Sequence, residues 1–472
     1  MDEPASWSVL ERHRTPDWLR DACLGLYVHW GPYAVPAFDS EWYPRNMYRP
    51  DTDAYDYHVK HYGDPADVGY HEFIDDFHGN AFDPEAWADR CAELGADVVG
   101  ITAIHHDGFA LWDSALTEWN AAEMGPERDV LGELATAVRD RDMRFMAAFH
   151  HAWRWWYYPR DPSFHTTDPA YAGLYGDRAS TTDETPPESY FEQWRDLTIE
   201  VMDTYRPDLC WFDFGWGNQA FAERDRYRRE VVDHYFTAAA DWEIDVDIAH
   251  KRNLPVGVGI LDYERSRREE LSTSPWLTDT SIDRASWGYI TDADYKDPRT
   301  LIEGLIDRTS KYGATILNVG PKPDGTIPVE ADRCLESVAS WLAVNGPGLR
   351  GVRPWWTFGE GPTDVTSGEF EEASAIEFTS ADHRFTRNDD AGYVFIFHRP
   401  PDGVVEVTTS LTRRVTGRRR GGDPIEPAAV ELLGSTAAVT WECDEHALRI
   451  ELPPEVDVAL PCCIRLDVAE QE

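Results

Sequence analysis

Val98-Val99-Gly100-Ile101-Thr102-Ala103-Ile104 is an unbroken, largely apolar run that passes directly into His105-His106-Asp107-Gly108. A short run rich in β-branched residues and lacking a polar face suits a strand covered on both sides, as in a parallel sheet flanked by helices. Similar runs stand at Leu24–Val28, Arg144–Phe149, Leu209–Phe212, Ile244–Ile248, Val256–Leu261 and Thr315–Val319, with an eighth expected near Trp276–Ile282. Amphipathic stretches of helical period lie between them, so the segment from about 20 to 345 reads as repeated βα units. Eight strands in that span are what a (β/α)8 TIM-like barrel with long loops requires. The alternative, a doubly wound sheet around a nucleotide, lacks the GxGxxG string that should follow an early strand. A nucleotide cofactor is therefore not expected.

The helices have their own signals. Asp83-Pro84-Glu85 supplies an N-cap, a proline in the first turn and an early acid, and Trp87, Cys91 and Leu94 recur at helical spacing up to Gly95. A second helix is expected over about 130–141 and a third over about 328–344, ended by Asn345-Gly346-Pro347-Gly348. That stop places the expected boundary: 1–348 as the catalytic barrel and 349–472 as a C-terminal β-sandwich of short alternating segments. The second unit shows no cluster of catalytic-type residues and reads as a structural or glycan-positioning appendage. Its basic run, Arg413–Arg420, reads as a solvated turn.

With 44 basic against 87 acidic residues the net charge is −43, a field that repels polyanions and removes nucleic acid as a partner. Only five of the basic residues are lysine (60, 251, 296, 311 and 322). Acid excess with arginine over lysine suits a halophilic, archaeal cytosol, where molar salt shortens the Debye length to about 3 Å. The bland counterpart is an ordinary acidic enzyme. Met1–Arg14 shows neither a basic n-region nor an apolar h-region, and no apolar window reaches the roughly 20 residues of a membrane helix, so a cytoplasmic protein without a membrane partner is expected. Seven cysteines, odd in number and without a CxxC pair, fit reduced thiols. The oligomeric state stays open, a homo-oligomer included.

In a barrel of this kind the chemistry sits at the C-terminal ends of the strands. There the chain places His29-Trp30-Gly31, then Glu41-Trp42-Tyr43 in the following loop, His105-His106, His150-His151, Trp211-Phe212-Asp213 and Asp262-Tyr263-Glu264. Imidazoles, carboxylates and indoles converging on one rim suit a sugar, whose apolar ring face stacks on tryptophan while its hydroxyls take oriented hydrogen bonds. Glycoside hydrolysis further needs two carboxyl groups, for which Asp213 and Glu264 are candidates. His29 and the His105/His106 pair are candidate substrate contacts. Trp42, Trp112, Trp119 and Trp287 are either platforms or core, and core is the commoner fate. A zinc hydrolase is the rival, but it usually shows His-x-His after the first strand, and adjacent histidines in an extended chain point to opposite sides. No metal is expected.

Taken in order, Leu26-Tyr27-Val28-His29-Trp30-Gly31, Ser40-Glu41-Trp42-Tyr43, Ile104-His105-His106-Asp107-Gly108-Phe109, Arg128-Asp129-Val130-Leu131-Gly132-Glu133-Leu134, Trp211-Phe212-Asp213, Ser286-Trp287-Gly288-Tyr289 and Leu317-Asn318-Val319-Gly320-Pro321 resemble family 29 of the glycoside hydrolases, the alpha-L-fucosidases. The resemblance spans nearly the whole chain. It implies a cofactor-free retaining exo-glycosidase acting on glycans or glycosides that carry terminal alpha-L-fucose. Asp213 would be the nucleophile, and His29, Glu41, His105, His106, Trp211 and Arg252 would contact the fucose. Trp42 and Trp287, inside two of these strings, complete the expected substrate contacts. Many members carry the acid/base in an Asp-Phe-x-x-x-Glu string, and here Arg267 occupies the sixth position. Glu264 is then the first choice for that role, with Glu269, Glu270 and Asp279 behind it. The departure keeps two other readings in view: a related sugar such as an alpha-L-galactoside, or a fucose-binding protein without turnover.

Overall fold

The computed structural model describes residues 3–177, 185–368, 370, 372, 376–408, 427–444, 446–454 and 461–467. The Arg413–Arg420 run lies outside the described residues. Eight parallel strands follow the expected order: β1 (Leu24–Val28), β2 (Val98–Ile104), β3 (Arg144–Phe149), β4 (Leu209–Phe212), β5 (Asp247–His250), β6 (Ile260–Leu261), β7 (Trp276–Ser281) and β8 (Gly313–Val319). Their order across the sheet is β6-β5-β4-β3-β2-β1-β8-β7. The ring closes just past β6, where Asp262 bridges Leu277 and the Tyr263 and Arg265 amides donate to the Leu277 and Asp279 carbonyls at 3.0 and 2.8 Å.

The alternation of a strand sorts each run into two cores. Tyr27, Val98, Met146, Ala148, Leu209, Trp211, Ala249, Ile260, Leu277 and Ile316 pack together inside the barrel. Leu26, Val28, Val99, Ile101, Phe145, Phe149, Cys210, Phe212, Ile248 and Leu317 pack outward against the helices. The helix Pro84–Leu94 has the expected Asp83 cap, whose carboxylate accepts the Ala86 amide at 3.1 Å, and ends at Gly95 with φ 70°. Helices at Val130–Arg139 and Val329–Asn345 match the other two expectations, the latter running into a 3-10 turn at Gly346–Gly348.

Two strands depart from the sequence reading. Ile244 belongs to the end of the preceding helix, its amide bonded to the Ala239 carbonyl after Glu243 turns left-handed (φ 58°), so β5 begins three residues later than expected. Val256 is 96% exposed in a turn closed by the Val258 amide on the Pro255 carbonyl, and β6 shrinks to two residues.

Beyond the barrel, β9 (Arg353–Glu360), β10 (His383–Arg387), β11 (Ala391–Ile396), β13 (Ala429–Leu432) and β16 (Cys462–Asp467) form one antiparallel sheet, ordered β13-β16-β11-β10-β9. The second sheet holds β12 (Val404–Thr408), β15 (Ala447–Glu451) and β14 (Thr440–Cys443). Trp355, Phe385, Val394, Val405, Val407, Ile450 and Ile464 fill the space between them. Strand β9 is mostly half-buried and lacks a clean alternation. Phe395, Phe397 and Cys463 face the other way and join the barrel's outer core, and the Trp341 indole donates to the Pro461 carbonyl. All seven cysteines are free thiols.

Candidate active site

The inward parity of each strand continues past its end and builds the site. Tyr27 leads two residues on to His29, Ala148 to His150, Trp211 to Asp213, Ala249 to Lys251, Ile260 to Asp262 and Glu264, Leu277 to Asp279, and Ile316 to Asn318. All of these except Tyr27, Asn318, Asp262 and the apolar inward residues line an inner chamber together with Glu41, Trp42, His105, His106, Phe214 and Trp287. An outer chamber of about 710 Å³ opens from it, and the two share Glu41, Trp42, Phe214, Lys251, Glu264 and Trp287 as a common neck.

Asp213 is buried and held by two partners: His106 Nε2 at 3.2 Å from one carboxylate oxygen and Lys251 Nζ at 3.6 Å from the other. Burial alone would raise its pKa, but the Lys251 charge and the His106 hydrogen bond outweigh it and leave the carboxyl below its ordinary value. Lys251 also reaches Glu264 Oε2 at 2.5 Å and Asp279 Oδ2 at 3.2 Å. Burial opposes the ammonium charge, yet the surrounding carboxylates of Asp279, Glu264 and Asp213 hold it well above the usual lysine range. Glu264 moves in the opposite direction from Asp213. Burial is the main cause, the Lys251 charge opposes it and the Asp279 and Asp213 charges add to it, bringing the carboxyl up to about 7. Asp262, behind them, is pushed well up by burial and by Asp279; its oxygens accept the Trp211 indole N–H (3.2 Å) and the Asp279 amide (2.9 Å).

The opposite wall is built of imidazoles. Asn318 donates its amide to Ser281 Oγ (3.0 Å) and the Trp287 carbonyl (2.7 Å), which turns its oxygen towards His29 Nδ1 at 2.8 Å. His29 Nδ1 must then donate, and Nε2 is left as the acceptor, 3.5 Å from the Tyr27 hydroxyl. Burial lowers the His29 pKa to about 3 and those of His105 and His150 well below normal, so these rings are neutral at physiological pH. Contrary to the expectation for adjacent histidines, His105 and His106 both line the chamber. The pairing of β2 with β3 shifts register between Thr102 and Ile104, and a turn closes at His105, so the strand alternation has ended there. Asp107 turns away and accepts the Tyr70 hydroxyl at 2.6 Å. Glu41 accepts the Trp287 amide at 2.9 Å, and burial raises its pKa.

His29, His105 and His150 each offer a nitrogen within 4.8 Å of the others and form the one metal-capable group among the described residues. Both His29 nitrogens already have protein partners, however, and His150 Nε2 lies 3.2 Å from the Tyr27 hydroxyl. A cation would have to compete with Asn318 or Tyr27 for His29.

Of the expected contacts, His29, Glu41, Trp42, His105, His106, Trp211 and Trp287 line the inner chamber with Asp213 and Glu264. Arg252 does not. It is exposed with left-handed backbone (φ 57°), and its guanidinium lies over the Tyr263 ring at 5.0 Å. Its neighbour Lys251 takes the place facing Asp213, and a fifth strand that starts at Ile244 hides that position. Glu269 and Glu270 are exposed and line neither chamber, whereas Asp279 lies at the inner floor. Trp112 is core, its indole donating to Glu200 at 2.9 Å, and Trp119 packs 6.0 Å from Tyr171 away from both chambers. Arg267, where a glutamate was sought, is buried and donates to the Glu372 carbonyl at 3.3 Å. Phe370 and Glu372 were also missed: they line the outer chamber although they come from beyond the barrel.

A barrel whose inner rim gathers paired carboxylates, neutral imidazoles and indoles is the framework of a glycoside hydrolase. The comparisons with known proteins narrow the class. The model of the family described as alpha-L-fucosidase matches residues 3–347. The chain is 31% identical to the rat tissue alpha-L-fucosidase over 460 residues, covering 95% of this chain and 88% of that one. Against the human tissue alpha-L-fucosidase it is 27% identical over 473 residues, covering 96% and 89%. Among solved structures, the Thermotoga maritima alpha-fucosidase bound to a mechanism-based inhibitor superposes with a TM-score of 0.76 at 24% identity, covering 98% of this chain and 99% of that one. The chain belongs to the alpha-L-fucosidase family and is a glycoside hydrolase.

Proposed function

We propose that the protein is a retaining exo-fucosidase that releases terminal alpha-L-fucose through a covalent fucosyl-enzyme, with Asp213 as nucleophile and Glu264 as general acid/base. Lys251 carries this reading. It touches both carboxylates, so the facing oxygens are no further apart than its two contacts of 2.5 and 3.6 Å laid end to end. Two carboxylates bridged by one ammonium are close neighbours, which suits the short separation of roughly 5–5.5 Å in a retaining pair better than the wider one of an inverting pair. The environment also drives the two pKa values apart, leaving one carboxylate ionised and the other carrying a proton near neutrality, as nucleophile and acid require.

In the first step Asp213 attacks the anomeric carbon while Glu264 gives its proton to the departing oxygen. In the second, Glu264 takes a proton from water, which displaces Asp213. Glu264 stands at the neck, between the chamber that holds Asp213 and the one open to solvent, as the acid at a scissile oxygen must. Asp279 is held inside. The Nδ1 atoms of His105, His106 and His150 are buried without protein partners, which favours a ligand whose hydroxyls meet them. The solved Thermotoga maritima alpha-fucosidase has been captured with fucose, in line with that sugar filling the inner chamber. Residues 1–348 would form the catalytic unit and 349–472 the sandwich that completes the outer wall. Replacing Asp213 by glycine should abolish release of p-nitrophenol from its alpha-L-fucoside, and added azide should restore it. Activity that persists without azide removes Asp213 from the role.

A further inference from the structure

Resting on the fucosidase reading, we propose that Phe370 is the platform on which the leaving-group sugar stacks, so that a residue from beyond the barrel sets the preference for fucose attached to another sugar. The scissile oxygen must lie between the chamber of the nucleophile and the acid. Asp213 lines only the inner chamber and Glu264 lines both, so the outer chamber is the leaving-group side. Its volume of about 710 Å³ falls within the roughly 300–1,000 Å³ of ligand sites and leaves room for a sugar ring.

Phe370 lines that chamber with 58% of its surface exposed. Its backbone is left-handed (φ 63°), a conformation disfavoured for a bulky side chain unless neighbouring contacts impose it. Those contacts are present. The Phe370 amide donates to the carbonyl of Glu264, the acid itself, at 3.1 Å, and the Gly368 and Glu372 amides donate to the Arg267 and Arg265 carbonyls at 3.4 and 3.0 Å. The Glu372 carboxylate is then pinned between Lys296 at 2.9 Å, Arg308 at 2.7 Å and the Thr280 hydroxyl. The backbone that carries the ring is thereby anchored beside the acid, and the ring lines a space large enough for a pyranose, whose C–H face suits an aromatic surface.

The test compares Phe370→Ala with the parent on two substrates. One is a fucosyl disaccharide; the other is alpha-L-fucosyl fluoride, whose leaving group has no face to stack. The expected result is a loss of about tenfold in kcat/KM on the disaccharide, the scale of one lost aromatic contact, with fucosyl fluoride turnover and inhibition by free fucose unchanged. Phe370→Trp should retain disaccharide turnover. Equal losses on both substrates, or no loss on the disaccharide, would overturn the role of Phe370. A parent protein that turns over neither substrate and does not bind fucose would instead sink the fucosidase reading itself.

Discussion

Lys251 Nζ lies 2.5 Å from Glu264 Oε2 and 3.6 Å from Asp213 Oδ1, so a single ammonium opposes the effect of burial on both carboxylates. The pH dependence of turnover follows. Activity needs Asp213 ionised and Glu264 protonated, which predicts a bell in kcat/KM with its alkaline limb near pH 7 and its acid limb below the ordinary carboxylate range. Lys251 lowers both pKa values, so Lys251→Met should move both limbs to higher pH while lowering the maximum. A pH profile that drops in height without moving would show that the ammonium does not tune the pair.

Glu264 can be isolated by leaving-group chemistry. Glu264→Gln removes the proton donor but leaves Asp213 free to attack, so the first step should suffer by about 10²–10⁴ when the leaving group is a sugar and far less when it is an activated phenolate. Comparing kcat/KM on a fucosyl disaccharide and a dinitrophenyl fucoside reads this directly. Equal losses on the two would return the acid role to Asp279, the one fallback that faces the chamber.

How far the site was legible depended on where the strands ended. After β1, β2, β3 and β4 the apolar runs have sharp edges, and their next residues, His29, His105, His106, His150 and Asp213, do face one chamber. The fifth run has no such edge. Ile244 and Val246 are apolar for the sake of the helix end and the outer core, so the run points to a strand that starts too early and hides Lys251, while Arg252 rests on the family resemblance alone. The strand-end rule applied to Asp247–His250 would have found Lys251. Phe370 carried no signal at all, because its place beside Glu264 comes from the Glu372 ion pairs, which join residues far apart in sequence. Strand β10 was likewise unreadable: His383, Arg384 and Thr386 are buried polar residues, and Arg384 is there for Asp307, 2.7 Å away.

A buried carboxyl away from the site gives a prediction on stability. Asp247 begins β5 fully buried, with one carboxylate oxygen lacking a partner, and burial raises its pKa to about 7 against hydrogen bonds from the Ile248 amide and Thr15. The folded protein therefore keeps a proton that the unfolded chain has lost above about pH 4. This contribution to stability is fully present below the unfolded pKa, falls as pH rises towards 7, and stays lost above it. Asp247→Asn, which cannot ionise, should be the more stable protein at pH 8 by on the order of a few kcal/mol, with the advantage vanishing near pH 4. Urea midpoints of the two proteins at both pH values check the sign.

The net charge of −43 predicts different salt responses for the fold and for the chemistry. Repulsion among surface carboxylates acts over a Debye length of about 10 Å at 0.1 M salt and about 3 Å at 1 M, so molar KCl should raise the melting temperature by several degrees. The Lys251, Asp213 and Glu264 centre is buried and in direct contact, where salt screens little. While the protein remains folded, kcat/KM should therefore change little between low and high KCl, even as the half-life at elevated temperature lengthens. Measuring both on one preparation separates the effects. A melting temperature that is flat or falls with KCl would refute the surface-charge account, and a kcat/KM that collapses in low salt in protein shown to be folded would mean that the charges governing the site extend beyond the buried centre.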